Sequence, residues 1–101
     1  MNASCYTLSI FRPRQGKEEE ALATWKKLIE YFHTLPHPPS GRGVVMRSFD
    51  TEGKYASFCP WSAREHVELV RADSGARAII EVLLELTEAD AGPYEVVNLV
   101  G

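Results

Sequence analysis

The sequence predicts an α+β fold in which helices cover one face of a four-stranded antiparallel sheet. The first observation is the order of the predicted elements, which is strand, helix, strand, strand, helix, strand, the split β-α-β (βαββαβ) arrangement. The second is size: 101 residues, of which 45% are hydrophobic and 25% charged, fit one globular core and leave no room for a second. We therefore expect a single domain over residues 1–101.

The first strand and the first helix have the clearest patterns. The segment 5–11 (CYTLSIF) is rich in β-branched and aromatic residues, which predicts a strand that Pro13 closes. Three glutamates at 18–20 then begin a helix, because a helix N-terminus favours negative charge. Behind them apolar residues recur at intervals of three and four, namely Leu22, Trp25, Leu28, Ile29 and Phe32. The prolines at 36, 38 and 39 predict that this helix ends near Leu35.

The middle of the chain predicts a β-hairpin. Its strands are Val44–Phe49 and Lys54–Cys59, and the polar residues 50–53 (DTEG) form the turn between them. Pro60 has no backbone N–H to donate to a neighbouring strand. We therefore expect the third strand to end at Cys59.

The second helical region is predicted in two pieces. Ser62 and Glu65 have the spacing of a capping box, so the first piece should begin at Ala63 and extend to about Ala72. The segment 73–75 (DSG) should interrupt the helix, and either of its first two residues could cap the second piece.

The second piece and the last strand complete the fold. The buried stripe of this piece is predicted from its apolar residues, which are Ile79, Ile80, Leu83, Leu84 and Leu86. The segment 91–93 (AGP) should end the helical region, and 94–100 (YEVVNLV) reads as the last strand.

The strands carry apolar residues on both faces, which predicts a homodimer. In the first strand Leu8 and Ile10 point opposite to Cys5 and Phe11. Two helices can cover one sheet face only, and the other would expose more apolar surface than monomers usually tolerate. A second copy packed face to face through the sheet would cover it. A monomer stays open as the alternative if polar residues make one face wet, namely Ser9, Arg47, Ser48, Ser57, Glu95 and Asn98.

Composition argues against several classes of partner. The net charge of -3 leaves no broad basic surface for nucleic acid. The segment 54–61 (KYASFCPW) lacks the glycines of an RNA-binding RNP1 strand. The N-terminus lacks the features of a signal peptide, and no apolar run approaches the roughly 20 residues that cross a bilayer. We therefore expect a cytoplasmic protein, with Cys5 and Cys59 reduced and buried.

Several segments resemble the dimeric α+β barrel superfamily, and within it the antibiotic-biosynthesis-monooxygenase-type domains. They are Arg12–Glu20 followed by Trp25, the strand end and helix start Trp61–Glu65, the break Ala72–Ser74, and the closing Tyr94–Val97. The resemblance implies a ferredoxin-like subunit that pairs through its sheet into a barrel, with a pocket between sheet and helices. It also implies a small apolar or aromatic ligand. Some members oxidise quinols and similar electron-rich aromatic molecules without metal or flavin, so no cofactor is implied.

The sequence departs from this family at two places. Many relatives carry a histidine about nine residues after the strand-ending tryptophan, where this chain has Val70, and His66 lies one helical turn earlier. The haem-degrading branch pairs a first-strand asparagine with a tryptophan and a histidine on the second helix. This chain has Cys5, Thr7 and Ser9 in the first strand, and it has no tryptophan and no histidine at 67–88. Haem degradation is therefore not expected.

The segment 58–66 (FCPWSAREH) supplies the first group of site candidates. Trp61 either fills the end of the barrel as a core residue or forms a wall of the pocket, together with Trp25 and Phe58. His66 has a suitable pKa for proton transfer near neutrality, although its place beside the apolar stripe also suits a solvent-edge histidine.

Arg47 and Tyr55 form the second group of candidates. Arg47 lies among apolar residues, so it either reaches the sheet edge or meets a carboxylate, a substrate or an enolate. Tyr55 offers a hydroxyl at a strand start. His33 and His37 are four residues apart, but Pro36 takes the second out of the helix, so no metal site is predicted.

Two functions remain open from the sequence. One is a cofactor-independent monooxygenase acting on a small aromatic or quinol-type molecule, and the other is a non-catalytic binding or assembly domain on the same scaffold. A polar-lined cavity that Arg47 or His66 faces would favour the enzyme. A cavity filled by Trp25, Trp61 and Phe58 would favour the second function.

Overall fold

The structure is a computed structural model that describes residues 3–97. Its seven elements follow the predicted order, with the second helix in two pieces: β1 (Cys5–Pro13), α1 (Glu18–Phe32), β2 (Val44–Arg47), β3 (Tyr55–Trp61), α2 (Arg64–Ala72), α3 (Ser74–Leu86) and β4 (Thr87–Glu95). The strands form one antiparallel sheet in the order β2-β3-β1-β4. The predicted α+β class and element order are confirmed.

The sheet has one face against the helices, here called the inner face. Its side chains come from alternate positions of β1 and β3 and are buried, namely Cys5, Ser9, Phe11, Tyr55, Ser57, Cys59 and Trp61. Three of them, Cys5, Cys59 and Trp61, form one core cluster with apolar residues of the three helices, such as Leu28, Val67 and Leu83. Alternation with a period of two therefore builds the core, as expected for a strand with one packed side.

The outer face of the sheet, which points away from the helices, carries a group of apolar side chains. It is defined by Tyr6, Leu8, Ile10, Val44, Met46 and Phe58. Ile10 and Met46 keep 37% and 43% of their surface exposed. Ser9 and Ser57, which the monomer alternative needs on a wet face, are instead buried on the inner face. The predicted contributions of 98–100 to the last strand lie outside the described residues.

Helix α1 has the predicted acidic first turn and apolar stripe, with Ala21, Leu28 and Phe32 buried. It ends at Phe32 rather than near Leu35 because the hydrogen-bonding pattern changes after Phe32. The N–H groups of Thr34 and Leu35 donate to carbonyl oxygens three residues back, as in a 3₁₀ turn.

Strand β3 continues through Pro60 to Trp61, so its predicted end at Cys59 was wrong. Strand β2 pairs with β3 only as far as Phe58. The carbonyl of Pro60 points away from β1 and accepts a hydrogen bond from the N–H of Ser40. The N–H and C=O of one strand residue point to the same side, so the N–H that proline lacks would also have pointed away from β1. No hydrogen bond to β1 is lost, and Pro60 pairs with Tyr6 in the ladder.

The predicted capping box of α2 is absent, since Ala63 occupies the N-cap and no side chain caps the helix there. The predicted break at 73–75 is confirmed, and Asp73 caps α3 by accepting a hydrogen bond from Ala76 N at 2.9 Å. Tyr31 on α1 donates a second hydrogen bond to Asp73 Oδ2 at 2.6 Å. These two bonds, the Tyr31 bond first, lower the pKa of the Asp73 carboxyl.

Strand β4 begins at Thr87, so the prediction of helix up to 91–93 was wrong. The reason is tertiary: Arg14 donates through N to Leu86 O and through Nε to Glu85 O, occupying carbonyls at the helix end. Residues 87–95 then pair with β1 over nine positions. Pro93 is tolerated because β4 is an edge strand. Leu84, predicted as buried, is 54% exposed.

Within residues 3–97, no helix has both the length and the apolar composition needed to cross a membrane.

Candidate functional site

A cavity of about 200 Å³ lies between the inner face of the sheet and the helices. The sheet contributes Thr7, Ser9, Ser57, Cys59 and Trp61 to its lining. Helices α1, α2 and α3 contribute mainly apolar side chains, among them Trp25, Leu28, Phe32, Val67, Val70 and Leu83. A concave, largely apolar space with a few polar groups is the usual character of a small-molecule site.

Trp61 is held in place as part of the cavity wall. It is fully buried, and its Nε1 donates a hydrogen bond to Thr7 Oγ1 at 3.1 Å. Its ring meets Phe32 edge to face, with the ring centroids 5.5 Å apart. A buried indole that is both packed and hydrogen-bonded has a fixed orientation. Trp61 therefore serves the core and the cavity at once.

Ser9 and Trp25 carry the two buried side-chain polar atoms that have no hydrogen-bond partner within residues 3–97. These atoms are Ser9 Oγ and Trp25 Nε1, and both side chains line the cavity. Ser9 keeps only 3% of its surface exposed. A buried donor without a partner costs roughly 1–3 kcal/mol, so such groups in a folded protein call for an explanation.

Cys59 contributes a thiol to the cavity wall. Burial raises its pKa to about 12, so it remains a neutral thiol at physiological pH. Cys5 lies diagonally across the β1–β3 ladder on the same face, and both cysteines are free. Cys59 therefore supplies no thiolate nucleophile to the cavity, and Cys5 does not line it.

The cavity opens between α2, α3 and β4. Its lining includes three exposed residues, Arg71, Leu84 and Ala91, which mark the rim. Ala91 pairs with Ser9 in the β1–β4 ladder, so the buried hydroxyl lies one strand in from the rim.

Arg47 and Tyr55 belong to a separate polar cluster, which we call the Glu18 cluster. The buried Tyr55 donates its hydroxyl hydrogen to Glu18 Oε2 and stacks on Phe11 with centroids 5.4 Å apart. Arg47 Nε donates to the Tyr55 hydroxyl at 3.5 Å. This cluster borders a shallow depression between β2 and β3, and neither Arg47 nor Tyr55 lines the cavity.

His66 also lies away from the cavity. Its Nδ1 is 3.3 Å from Ser62 Oγ, and its ring stacks on that of His37 with centroids 4.5 Å apart. His33 has both ring nitrogens within hydrogen-bond distance of backbone carbonyls, at Ile29 and Gly41. Across residues 3–97, no three histidine, cysteine, aspartate or glutamate side chains form a group that could hold a metal ion.

The structure thus divides the predicted site residues. Trp25 and Trp61 meet at the cavity, whereas Phe58 lies on the outer face, where it contacts Tyr6 edge to face. Sequence reasoning missed Thr7 and Ser9 as cavity residues. A signal was present in the sequence. Thr7 and Ser9 follow Cys5 at intervals of two residues and precede Phe11, so all four side chains point to the same, packed side of the strand.

Comparison with solved structures finds the same fold in several proteins, among them a cofactor-independent oxygenase. SnoaB of Streptomyces nogalater, a cofactor-independent oxygenase, matches with a TM-score of 0.82 at 14% identity, over 97% of either chain. A conserved protein of unknown function from Bacteroides thetaiotaomicron matches at 0.80, with 14% identity over 95% of this chain and 100% of that one. An antibiotic biosynthesis monooxygenase matches at 0.71, with 10% identity over 93% of this chain and 99% of that one.

No sequence-family model and no curated protein sequence matches the chain. At sequence identities this low, the similarity to these structures is evidence for a shared fold alone. At that level, the resemblance to antibiotic-biosynthesis-monooxygenase-type α+β domains is confirmed.

Proposed function

We propose that this protein binds a small aromatic, quinol-type molecule in the cavity and oxygenates it without a bound cofactor. The observation that carries the proposal is the pair of unpartnered donors, Ser9 Oγ and Trp25 Nε1, in a largely apolar lining. A ring oxygen of the ligand would accept hydrogen bonds from both and remove their desolvation cost. The fold shared with the cofactor-independent oxygenase SnoaB supports the choice of reaction.

The size and walls of the cavity favour an aromatic ligand. A dry cavity of roughly 150 Å³ is enough to bind benzene, so the space of about 200 Å³ suits one or two fused rings. Trp25, Phe32 and Trp61 offer ring faces and edges against which such a molecule packs favourably.

The chemistry can be written with 1-naphthol as the substrate. The ring carbon opposite the hydroxyl takes one oxygen atom of O₂ as a carbonyl, and the other atom leaves as water. The two hydrogens of that water come from this ring carbon and from the hydroxyl group. The products are 1,4-naphthoquinone and water, and the substrate supplies all four electrons. Ser9 and Trp25 would stabilise negative charge on the phenolic oxygen as the ring gives up electrons.

No general base is present among the described residues that line the cavity, because the Cys59 thiol stays protonated. The phenol would therefore enter ionised or lose its proton to solvent. The oxygenation rate should rise with pH along the titration of the phenol itself. A pH–rate profile that instead followed a group titrating near 6.5, the ordinary range of histidine, would contradict this part of the proposal.

The non-catalytic alternative also has an observation in its favour. Arg47, Tyr55 and His66, the groups predicted to handle protons or negative charge, do not line the cavity. A binding protein needs only the cavity and its two donors, whereas an enzyme that relied on these three residues would need them closer to the ligand.

Oxygen uptake and naphthoquinone formation with 1-naphthol separate the two functions. For an oxygenase, we expect Ser9→Ala and Trp25→Phe each to lower kcat/KM by about tenfold, since each removes one donor to the developing charge. Ser74→Ala, which removes an exposed hydroxyl at the start of α3, serves as the matched control and should retain full activity. Binding without oxygen uptake would support the alternative, and absence of binding would contradict both functions.

We also propose that a second copy of the chain covers the outer face. Its apolar side chains, among them Leu8, Ile10 and Met46, have no covering element within residues 3–97. Self-association through one such patch gives a closed two-fold dimer. Ile10→Glu should yield a folded species sedimenting as one chain. Wild-type protein that already sediments as one folded chain at micromolar concentration would contradict the proposal.

A further inference from the structure

The rim of the cavity carries a positive charge. Arg71 is the one charged side chain among the described residues that line the cavity, and it is exposed to solvent. It lies in the last turn of α2, next to Val70, whose side chain is buried in the core. A ligand that occupies the cavity would therefore contact the residue that carries this positive charge.

Arg71 makes no ion pair and no side-chain hydrogen bond with any residue in 3–97. Arg64, at the other end of α2, does form an ion pair, with its Nε 3.9 Å from Glu68 Oε1, whereas Arg77 of α3 forms none within residues 3–97. A cation in the last turn of a helix is also favoured by the helix dipole alone. That simpler explanation accounts for the charge, but it does not account for an arginine at the opening of a cavity.

We infer that Arg71 is a specificity-determining residue that selects an aromatic acid, by binding its carboxylate at the rim. This inference rests on the proposed function, because it concerns the ligand of the same cavity. The ring oxygen would lie against the buried donors Ser9 and Trp25, and the carboxylate would emerge beside the guanidinium. Arginine suits this contact because its planar fork can donate two parallel hydrogen bonds to one carboxylate.

The apolar interior explains why the carboxylate must stay outside. An unpaired carboxylate taken into an apolar cavity loses its hydration, and the donors Ser9 and Trp25 are neutral. At the rim the same group keeps part of its water and gains a cation. The arrangement therefore fixes which end of the molecule enters first as well as which molecule binds.

Two fluorescent probes test the inference: 2-naphthol and 6-hydroxy-2-naphthoate. They share the ring system and the hydroxyl, and only the second carries a carboxylate, at the end away from the hydroxyl. Both are titrated against wild-type protein, Arg71→Gln, and the control Arg77→Gln, which removes an exposed arginine of α3 that does not line the cavity.

Wild type and Arg77→Gln should bind the carboxylated probe about threefold to tenfold more tightly than 2-naphthol at low salt, the range of a partly exposed charge-assisted contact. Arg71→Gln should lose this preference and keep its affinity for 2-naphthol. The preference should also shrink in 1 M salt, where the Debye length falls to about 3 Å.

The outcomes separate the inference from the proposed function. Equal affinity of wild type for the two probes, or a preference that survives in Arg71→Gln, would overturn the role of Arg71 and leave the aromatic site intact. Failure of wild type to bind either probe would overturn the proposed aromatic ligand and the inference with it.

Discussion

The Glu18 cluster and the cavity both lie beside the inner face of the sheet, but their polar side chains differ in whether they have hydrogen-bond partners. In the Glu18 cluster, Tyr55 donates to Glu18 and accepts from Arg47, so the groups satisfy one another. In the cavity wall, Ser9 Oγ and Trp25 Nε1 are buried and have no partner within residues 3–97. Polar groups that bond to one another need only a structural role, whereas buried donors without a partner indicate where a ligand could bind.

Trp61 tests the cavity region most severely, because it is the one wall residue that is both fully buried and hydrogen-bonded. We expect Trp61→Ala to lower the free energy of unfolding by about 3–5 kcal/mol, the range for a large buried aromatic residue. Urea denaturation followed by circular dichroism measures it. A loss below about 1 kcal/mol would show that the cavity wall is loosely packed.

Tyr55→Phe tests the satisfied region. It removes the hydroxyl from the Glu18 cluster and keeps the ring stacked on Phe11. We expect a loss of about 1–2 kcal/mol in urea denaturation, since a hydrogen bond to a carboxylate is removed and Glu18 can partly rehydrate. Activity towards 1-naphthol should be unchanged. A loss of activity at unchanged stability would erase the distinction between the two regions.

Thr7→Val and Ser9→Ala compare a partnered hydroxyl with an unpartnered one on the same face of β1. Thr7 accepts the Trp61 indole hydrogen, so Thr7→Val leaves that donor unpaired and should cost about 1 kcal/mol. Ser9→Ala removes a buried hydroxyl that has no partner, so stability should be unchanged or rise, by up to about 1–3 kcal/mol. If Ser9→Ala proved the more destabilising of the two, Ser9 would have a structural partner and its role as an open donor would fail.

The Tyr31–Asp73 contact gives the smallest expected effect and appears as a dependence on pH. The folded-state pKa of Asp73 is lowered, chiefly by the Tyr31 hydrogen bond, so the stability it contributes is present above its ordinary pKa near 4. This contribution is lost as the pH falls through the lower, folded-state pKa. The difference in urea midpoint between wild type and Tyr31→Phe should therefore be constant at neutral pH and shrink below about pH 4. A difference that grew at low pH would reverse the assignment.

The fold could be predicted wherever local patterns and tertiary contacts agree. The acidic start and apolar stripe of α1 needed no partner to be recognised, and the break before α3 followed from the Asp73 cap. Strand β4 could not be predicted, because α3 ends where Arg14, far away in sequence, binds the carbonyls of Glu85 and Leu86. Its edge position then tolerates a proline and a glycine that local rules take as a helix stop and turn.

The candidate site was predictable only in part, for a related reason. Trp25 and Trp61 were visible as large aromatic residues at element positions that face a core. Arg47, Tyr55 and His66 drew notice as polar groups near apolar ones, but their contacts lie with Glu18, Ser62 and other protein groups. The monomer alternative placed Ser9 on a wet face because serine is usually exposed, and its burial follows only from the helices packed above it.

The protonated state of Cys59 has a practical consequence for work at the bench. Thiolates react with peroxides and quinones far faster than thiols do, so this sulfur should resist modification by the quinone product of the proposed oxygenation. Cys59 should then remain a free sulfhydryl through many turnovers of the proposed reaction without added reductant. Dithiothreitol, which would itself consume dioxygen and return a quinone to its quinol, can be left out of every assay.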